Sequence, residues 1–121
     1  MTVTGIDFVA LQVRDVQAAA TFYEKHLGLQ RDPAAPPHAV VFATAPIPFA
    51  VREPLPGVNL DDAPRPGHGV ALWMKTDDAQ TLHDALTAAG VPIVAPPTDG
   101  PFGRTFSFAD PDGYVVTVHD R

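Results

Sequence analysis

The residues that could carry out catalysis are few in this chain, and they are scattered. The chain has no cysteine, which excludes disulfides, thiolate metal sites and a cysteine nucleophile. Ser107 is the sole serine, and the glycines of a nucleophile elbow do not surround it. Histidines with the close spacing of metal ligands are also lacking, since the five stand at His26, His38, His68, His83 and His119.

The carboxylates that neighbour each other in the sequence stand where they stabilise local structure. Asp77 and Asp78 precede an alanine-rich stretch, and either can cap a helix. Asp110 and Asp112 flank Pro111 in a pattern that is typical of a tight turn. Capping and turn formation therefore explain these acidic residues better than acid–base catalysis does.

The elements that position the remaining candidates follow from a repeat within the chain. The triplet Val-Ala-Leu occurs at 9–11 and again at 70–72, and an aspartate, an alanine-rich stretch and a glycine follow each copy. The two copies are offset by 61 to 63 residues. An echo that spans half of the chain predicts two similar modules, with a functional site between them.

The first copy predicts the order strand, helix, strand, strand. Alternating apolar residues indicate a strand at 6–13. Asp15 suits the N-cap of the helix, and Gly28 suits its C-cap. Two strands are expected at about 38–44 and 47–52, after which the module ends.

The second copy predicts a similar order. A strand begins at Val70, and a helix capped by Asp77 or Asp78 ends at Gly90. This helix is expected to bury a stripe made of Leu82, Ala85, Leu86 and Ala89. Further strands are expected at 91–94, 104–109 and 114–119, with a turn at 110–113.

Fourteen prolines mark the expected loops and strand ends, because proline cannot donate to a sheet ladder. They cluster at 33–37, at 54–66 and between 92 and 101. The stretch 54–67 is the best linker candidate, and it divides one domain, 1–121, into a first module of about 1–53 and a second of about 68–121.

Strand periodicity assigns each side chain to a face of its sheet. Val9, Leu11 and Val13 are expected to face the first helix, and Val70, Leu72 and Met74 to face the second. The opposite faces then carry Phe8, Ala10, Gln12, Ala71, Trp73 and Lys75. The predicted fold class is α+β, with two curved mixed sheets around a cleft and the helices outside.

Composition and charge narrow the class of protein. The chain has 121 residues, of which 45% are hydrophobic, and this is typical of one globular domain. Its net charge is −6, and eight Lys and Arg residues spread along the chain do not make a surface for nucleic acid. No run is long enough to span a membrane and no secretory signal is visible, so we expect a cytoplasmic protein.

Two end motifs resemble those of a known family. Residues 8–15 (FVALQVRD), 20–23 (ATFY) and 27–29 (LGL) resemble the opening of the vicinal oxygen chelate superfamily, which includes glyoxalase I, extradiol dioxygenases and bleomycin-resistance proteins. Residues 108–114 (FADPDGY) resemble its C-terminal signature, and residues 101–104 (PFGR) resemble the preceding loop in the bleomycin-resistance-like branch. The resemblance implies paired βαβββ modules and a homodimer whose clefts are shared between chains.

The resemblance also implies where metal ligands would stand. Enzymes of the superfamily hold a divalent metal with His, Gln or Glu side chains, and the equivalent positions here are Phe8, Ala50, Ala71 and Thr117. Phenylalanine and alanine cannot ligate a metal, and a lone threonine does so weakly. We therefore expect no metal and no other cofactor.

What the predicted cleft retains is aromatic surface with sparse polar groups, a combination that suits a planar organic ligand. The candidate apolar residues are Phe8, Ala10, Phe42, Phe49, Trp73 and Phe102. The candidate polar residues are Gln12, Arg52, Lys75, Arg104, Thr117 and His119. For Phe42 and Phe49 a place in the core is the simpler explanation, and Lys75 and Arg104 can equally be plain surface charges.

Three hypotheses follow. The preferred one is a metal-free, homodimeric protein, not an enzyme, that sequesters an aromatic antibiotic of the bleomycin, mitomycin or enediyne type. The alternative is a glyoxalase-like or dioxygenase-like lyase or isomerase with a non-standard site. The third is a structural or regulatory module whose cleft is filled by its own side chains.

Overall fold

The computed structural model describes every residue from 1 to 121, and the chain divides into two units, Met1–Leu60 and Asp61–Arg121. The boundary lies within the stretch 54–67, where Leu60–Asp62 forms a short 3-10 turn. Each unit contains one sheet and one helix.

The first unit contains a three-stranded sheet. Its elements are β1 (Val9–Gln12), α1 (Val16–Leu27), β2 (Ala39–Phe42) and β3 (Phe49–Arg52). The strand order is β1-β3-β2, in which β3 runs parallel to β1 and antiparallel to β2. Outside these strands, an isolated antiparallel bridge joins Arg31 to Phe42.

The predicted caps of α1 are confirmed. The Asp15 carboxylate accepts a hydrogen bond from the Ala18 amide at 3.0 Å, which satisfies a donor that the first helical turn leaves without a partner. Gly28 adopts φ +71°, and its amide donates to the carbonyl of Glu24 at 3.1 Å. This left-handed conformation costs glycine little because it has no Cβ.

Three rings fill the space between α1 and its sheet. Tyr23 of α1 lies 5.2 Å from the Phe49 ring centroid and 6.1 Å from that of Phe42. The rings of Phe42 and Phe49 stack at 5.9 Å with an interplanar angle of 19°. All three residues are buried, as are Leu11 and Val51 on the same face of the sheet.

The second unit contains a four-stranded sheet. Its elements are β4 (Leu72–Lys75), α2 (Ala79–Ala88), β5 (Ile93–Gly100), β6 (Gly103–Ala109) and β7 (Val115–His119). The order is β4-β7-β6-β5, with β4 parallel to β7 and the other pairs antiparallel. The predicted α+β class is confirmed, with mixed sheets of three and four strands: the first module has the order βαββ, and the second has the same order with one further strand.

The turn between β6 and β7 has the predicted chemistry. The Gly113 amide donates to the carbonyl of Asp110 at 3.0 Å, and Gly113 has φ +94°. The Asp110 carboxylate accepts from the amides of Asp112 and Tyr114, each at 2.9 Å. Asp110 and Asp112 are both buried, and the turn rather than acid–base chemistry accounts for them.

The prediction that prolines 96 and 97 lie in loops or at strand ends is wrong. Both lie within β5, which extends from Ile93 to Gly100 instead of ending at 94. Proline is tolerated there because β5 is the edge strand of its sheet and its pairing with β6 shifts register twice.

Two details of the first part of this unit also differ from prediction. Val70 precedes β4 and is 65% exposed, so it does not face the helix. In α2 the buried residues are Ala79 and Leu86, while Ala85 and Ala89 are exposed. His83 takes the place next to the sheet, with its ring 5.4 Å from that of Phe106. Neither α1 nor α2 is long and apolar enough to cross a membrane.

Candidate functional site

Pairing in the second sheet fixes which side chains share the face that α2 does not cover. Trp73 lies opposite Thr117, Thr117 lies opposite Ser107, and Lys75 lies opposite His119. Side chains of directly paired residues point to the same face of a sheet. We call this the helix-free face of the second sheet, and its aromatic, charged and hydroxyl-bearing members on β4, β6 and β7 are Trp73, Lys75, Thr105, Ser107, Thr117 and His119.

The opposite face is the core of the unit. Phe106, Phe108, Val116 and Val118 are buried there, with at most 1% of each residue exposed. Burial of these side chains removes apolar area from water and stabilises the sheet against α2.

Three rings meet at one end of the helix-free face, and we call them the aromatic trio. The centroids of Trp73 and Phe102 are 5.5 Å apart at 68°, and those of Trp73 and His119 are 5.8 Å apart at 60°. Phe102 lies 6.3 Å from His119 at 77°. Trp73 is 50% exposed and Phe102 is 54% exposed, so the trio presents ring surface to solvent at distances typical of edge-to-face contacts.

The position of Phe102 depends on the C-terminal residues. Phe102 lies in the two-residue turn between β5 and β6, and its carbonyl accepts from the Arg121 amide at 3.1 Å. The Asp120 carboxylate accepts from the Arg104 amide at 2.9 Å and from the Ala79 amide at 3.2 Å. These two hydrogen bonds, of which the one from the Arg104 amide has the larger effect, hold the pKa of Asp120 below its ordinary value.

His119 is oriented by a bond to the same C-terminal segment. Its Nδ1 lies 3.0 Å from the main-chain oxygen of Arg121, and because this oxygen can only accept, Nδ1 carries the proton. Nε2 makes no hydrogen bond within the chain. The histidine therefore offers one ring nitrogen to a ligand on the side away from its anchor.

Polar groups lie beside the trio. The hydroxyls of Ser107 and Thr117 are 2.8 Å apart and partly buried. Lys75 is exposed, and its ammonium group forms neither an ion pair nor a hydrogen bond. An aromatic surface is thus bordered by two hydroxyls, an imidazole and a cation.

The first sheet has a different helix-free face. Ala10 lies opposite Ala50, and Gln12 lies opposite Arg52. The Gln12 side-chain oxygen accepts from the Leu55 amide at 2.8 Å, while Arg52 Nε donates to the Glu53 carbonyl at 2.9 Å. Both polar side chains thus make bonds to the chain that follows β3. Phe8 precedes β1 and is 46% exposed.

Three candidates from the sequence lie elsewhere. Phe42 and Phe49 belong to the core against Tyr23, on the helix side of the first sheet. Arg104 has the strand parity of Phe106, not of Thr105, and its guanidinium pairs with Asp99 at 3.0 Å. These side chains do not belong to the helix-free faces, because sheet register and ring packing direct them to the other side.

The positions that the family resemblance assigns to metal ligands do not fit a metal. Phe8, Ala50 and Ala71 have no donor atom in their side chains, and the Thr117 hydroxyl is hydrogen-bonded to Ser107. No group of three or more His, Asp or Glu side chains lies close enough together to hold an ion. His83 bonds to Asp84 at 3.0 Å on the surface of α2, which lowers the pKa of Asp84.

Sequence reasoning missed two contributions to this region. Ser107 shows no nucleophile motif in the sequence, but its spacing from Thr105 and Ala109 along one strand places it on the helix-free face. Asp120 carries no signal in the sequence, because its partners Ala79 and Arg104 are distant along the chain.

Comparison with protein families identifies the scaffold. Residues 5–118 match the Glyoxalase/Bleomycin resistance protein/Dioxygenase superfamily. The chain belongs to this superfamily. The match covers both end motifs and both units. It agrees with the resemblance seen in the sequence and with the α+β topology of the structure. None of the curated proteins matches the chain.

Several solved structures have the same fold as this chain at low sequence identity. TnmS3, an antibiotic binding protein from Streptomyces sp. CB03234, superposes with a TM-score of 0.76 at 24% identity, covering 98% of this chain and 97% of that one. A glyoxalase-related enzyme from Fulvimarina pelagi gives 0.76 at 23% identity, with 97% and 88% covered. Lactoylglutathione lyase from Agrobacterium tumefaciens gives 0.70 at 22% identity, with 98% and 95% covered. Binding proteins and enzymes are thus both similar to this superfamily member.

Proposed function

We propose that this superfamily member is a metal-free binding protein that sequesters a planar aromatic natural product, such as a mitomycin-, enediyne- or bleomycin-type antibiotic. The aromatic trio carries this proposal. About half of Trp73 and half of Phe102 is left exposed, although burial of apolar rings is favourable. Exposed rings grouped on one face are typical of a surface that a ligand covers.

The residues at the positions equivalent to the superfamily's metal ligands support binding of a ligand without its chemical conversion. A superfamily enzyme with a divalent metal uses it to polarise a bound oxygen. Phe8, Ala50, Ala71 and Thr117 provide no set of donors for such an ion, so the residues that remain can stack on a ligand and hydrogen-bond to it. The similarity to the antibiotic-binding TnmS3 is a further, weaker support, because 24% identity carries the fold alone.

The proposal includes an arrangement of modules. A cytoplasmic homodimer would form each site from the first module of one chain, about 1–53, and the second module of the other, about 68–121. Within each chain, the linker 54–67 connects the two modules. Phe8, Ala10, Gln12 and Arg52 would then border the ligand from one side, and Trp73, Phe102, Thr117 and His119 from the other. Sedimentation of the purified protein tests the dimer, and a strictly monomeric chain that still binds ligand rejects the shared site.

Intrinsic fluorescence tests the ligand site directly, because Trp73 is the single tryptophan of the chain. We expect saturable quenching and a raised melting temperature when one member of an antibiotic panel binds. Phe102→Ala should weaken binding by about tenfold, since ring stacking contributes about 1 kcal/mol or more. Leu55→Ala, which removes an equally exposed apolar side chain of the linker, serves as the control.

The same experiment separates capture from catalysis. Chelator treatment should leave affinity unchanged, and mass spectrometry should recover the ligand unaltered. A chemically altered product would instead favour the alternative of a lyase or isomerase, for which His119 Nε2 is the available base. A panel that leaves both fluorescence and melting temperature unchanged would contradict the proposed function.

A further inference from the structure

The ionisable side chains beside the aromatic trio all have the same sign. On the helix-free face of the second sheet they are Lys75 and His119, which lie directly opposite each other on β4 and β7. Adjacent strands are about 4.8 Å apart, so the two side chains start from neighbouring positions. Trp73 lies two residues before Lys75, on the same strand and the same face.

Acidic residues are absent from this face, although they outnumber basic ones in the chain. The chain has 14 Asp and Glu against 8 Lys and Arg. The strand residues of the face are Trp73, Lys75, Ala95, Thr98, Thr105, Ser107, Ala109, Val115, Thr117 and His119.

The side-chain carboxylates of Asp99 and Asp120 have partners away from this face, and the main-chain oxygen of Arg121 accepts from His119 Nδ1. Asp99 pairs with Arg104, and Asp120 accepts the amides of Arg104 and Ala79. Asp77 follows β4 and forms no ion pair with Lys75. Lys75 is therefore a cation without a partner inside the chain, and it lies beside the partly exposed ring of Trp73.

The helix-free face of the first sheet shows the same bias. Its strand residues are Ala10, Gln12, Ala39, Val41, Ala50 and Arg52. Arg52 is the one ionisable group among them, and it is also a cation. In an acidic protein, both helix-free faces thus carry only basic ionisable side chains.

We infer that the ligand of the aromatic trio is an anionic aromatic, a planar ring system that bears a carboxylate or a phenolate near its edge. This inference rests on the proposed function and names the ligand class. The ring lies against Trp73 and Phe102, and its charged oxygen accepts from Lys75 Nζ. Nε2 of His119 accepts a hydrogen bond from a phenol O–H when the imidazole is neutral, and it donates one to the anionic oxygen when the imidazole is protonated.

Three probes with one ring system test the charge: 9-anthracenecarboxylate, 9-anthracenemethanol and 9-(aminomethyl)anthracene. Titration followed by Trp73 fluorescence gives Kd for each. We expect the carboxylate to bind about tenfold more tightly than the alcohol, and the ammonium probe to bind most weakly. The difference between carboxylate and alcohol should shrink at high salt, because exposed charges are screened.

Lys75→Gln should remove the preference for the carboxylate, because the ammonium group from which its oxygen accepts is then missing. Lys25→Gln is the matched control, because Lys25 is the other lysine of the chain and lies in α1 of the first unit. It should keep the preference. An unchanged melting temperature of Lys75→Gln shows that a loss of preference is not a loss of folding.

The outcomes separate this inference from the proposed function. If the alcohol binds as tightly as the carboxylate, or if Lys75→Gln keeps the preference, the anionic class is rejected while ring binding stands. If none of the three probes binds but a neutral antibiotic does, the anionic class is again rejected. If neither the probes nor the antibiotic panel binds, the proposed function itself is wrong.

Discussion

The two units of this protein begin with the same phrase, Val-Ala-Leu followed by a capped helix, yet they place their rings differently. In the first unit Tyr23, Phe42 and Phe49 all lie between helix and sheet, and the helix-free face is made of small and polar side chains. In the second unit Phe106 and Phe108 fill the core, while Trp73 and Phe102 stand on the other side. The comparison shows that one scaffold can be stabilised by rings on one face and can leave other rings exposed to solvent.

The largest expected effect separates core rings from exposed ones. Phe42→Ala should lower the free energy of unfolding by about 3 to 5 kcal/mol, because it removes a buried ring that contacts Tyr23 and Phe49. Phe102→Ala, in the exposed trio, should lower it by less than about 0.5 kcal/mol. Urea unfolding measures both, and equal losses would contradict the division of roles.

A second comparison concerns two glycines with similar backbone angles. Gly28 has φ +71° with open space where a Cβ would stand, whereas at Gly103, φ +81°, a Cβ would collide with the Asp120 carboxylate and with Cβ of Arg121. Gly28→Ala should cost about 1 to 2 kcal/mol for the left-handed conformation alone. Gly103→Ala should cost about 1 to 3 kcal/mol more, because the C-terminal segment must shift.

The fluorescence of Trp73 reports whether Gly103→Ala displaces the ring of Phe102, in addition to any loss of stability. The Arg121 amide bonds to the Phe102 carbonyl, so a displaced C-terminus moves the ring that contacts Trp73. Gly28→Ala should leave the emission of the folded protein unchanged. An unchanged emission in both variants would mean that the C-terminus does not position Phe102.

The smallest expected effect is a difference in acid sensitivity. The pKa values of Asp78, Asp84 and Asp120, all in the second unit, are lowered, chiefly by hydrogen bonds from Thr81, His83 and Arg104 respectively. A lowered pKa in the folded state stabilises the protein above the ordinary value of 3.8, and this contribution is lost as the pH falls through the lowered value.

The urea midpoint of unfolding should therefore fall as the pH drops below about 4. Asp120→Asn should make that fall shallower, because one of the three carboxylates no longer titrates. Asp7→Asn, at an exposed position before β1, is the control for the loss of a negative charge. A parallel fall in Asp120→Asn and the parent protein would mean that the bonds of Asp120 do not stabilise the folded state.

Local sequence signals predicted most of the scaffold. Asp15 and Gly28 end their helix as expected, and the turn at 110–113 closes the last hairpin, because caps and turns depend on residues within a few positions of each other. The strand parity of Trp73, Thr117 and His119 was likewise readable, and register brings these three together. Long-range effects were not readable: Pro96 and Pro97 fit a strand only because that strand lies at a sheet edge.

By itself, the sequence determined the α+β class, the duplicated plan and the absence of ligating side chains at Phe8, Ala50 and Ala71, since these follow from residue type and short-range periodicity. Tertiary structure alone decided which rings are core and which are exposed. Phe42 and Phe102 are the same residue type, and only packing against Tyr23 or beside Trp73 distinguishes them. It also decided that Asp120 anchors Arg104 and Ala79, because such contacts join residues that are far apart along the chain.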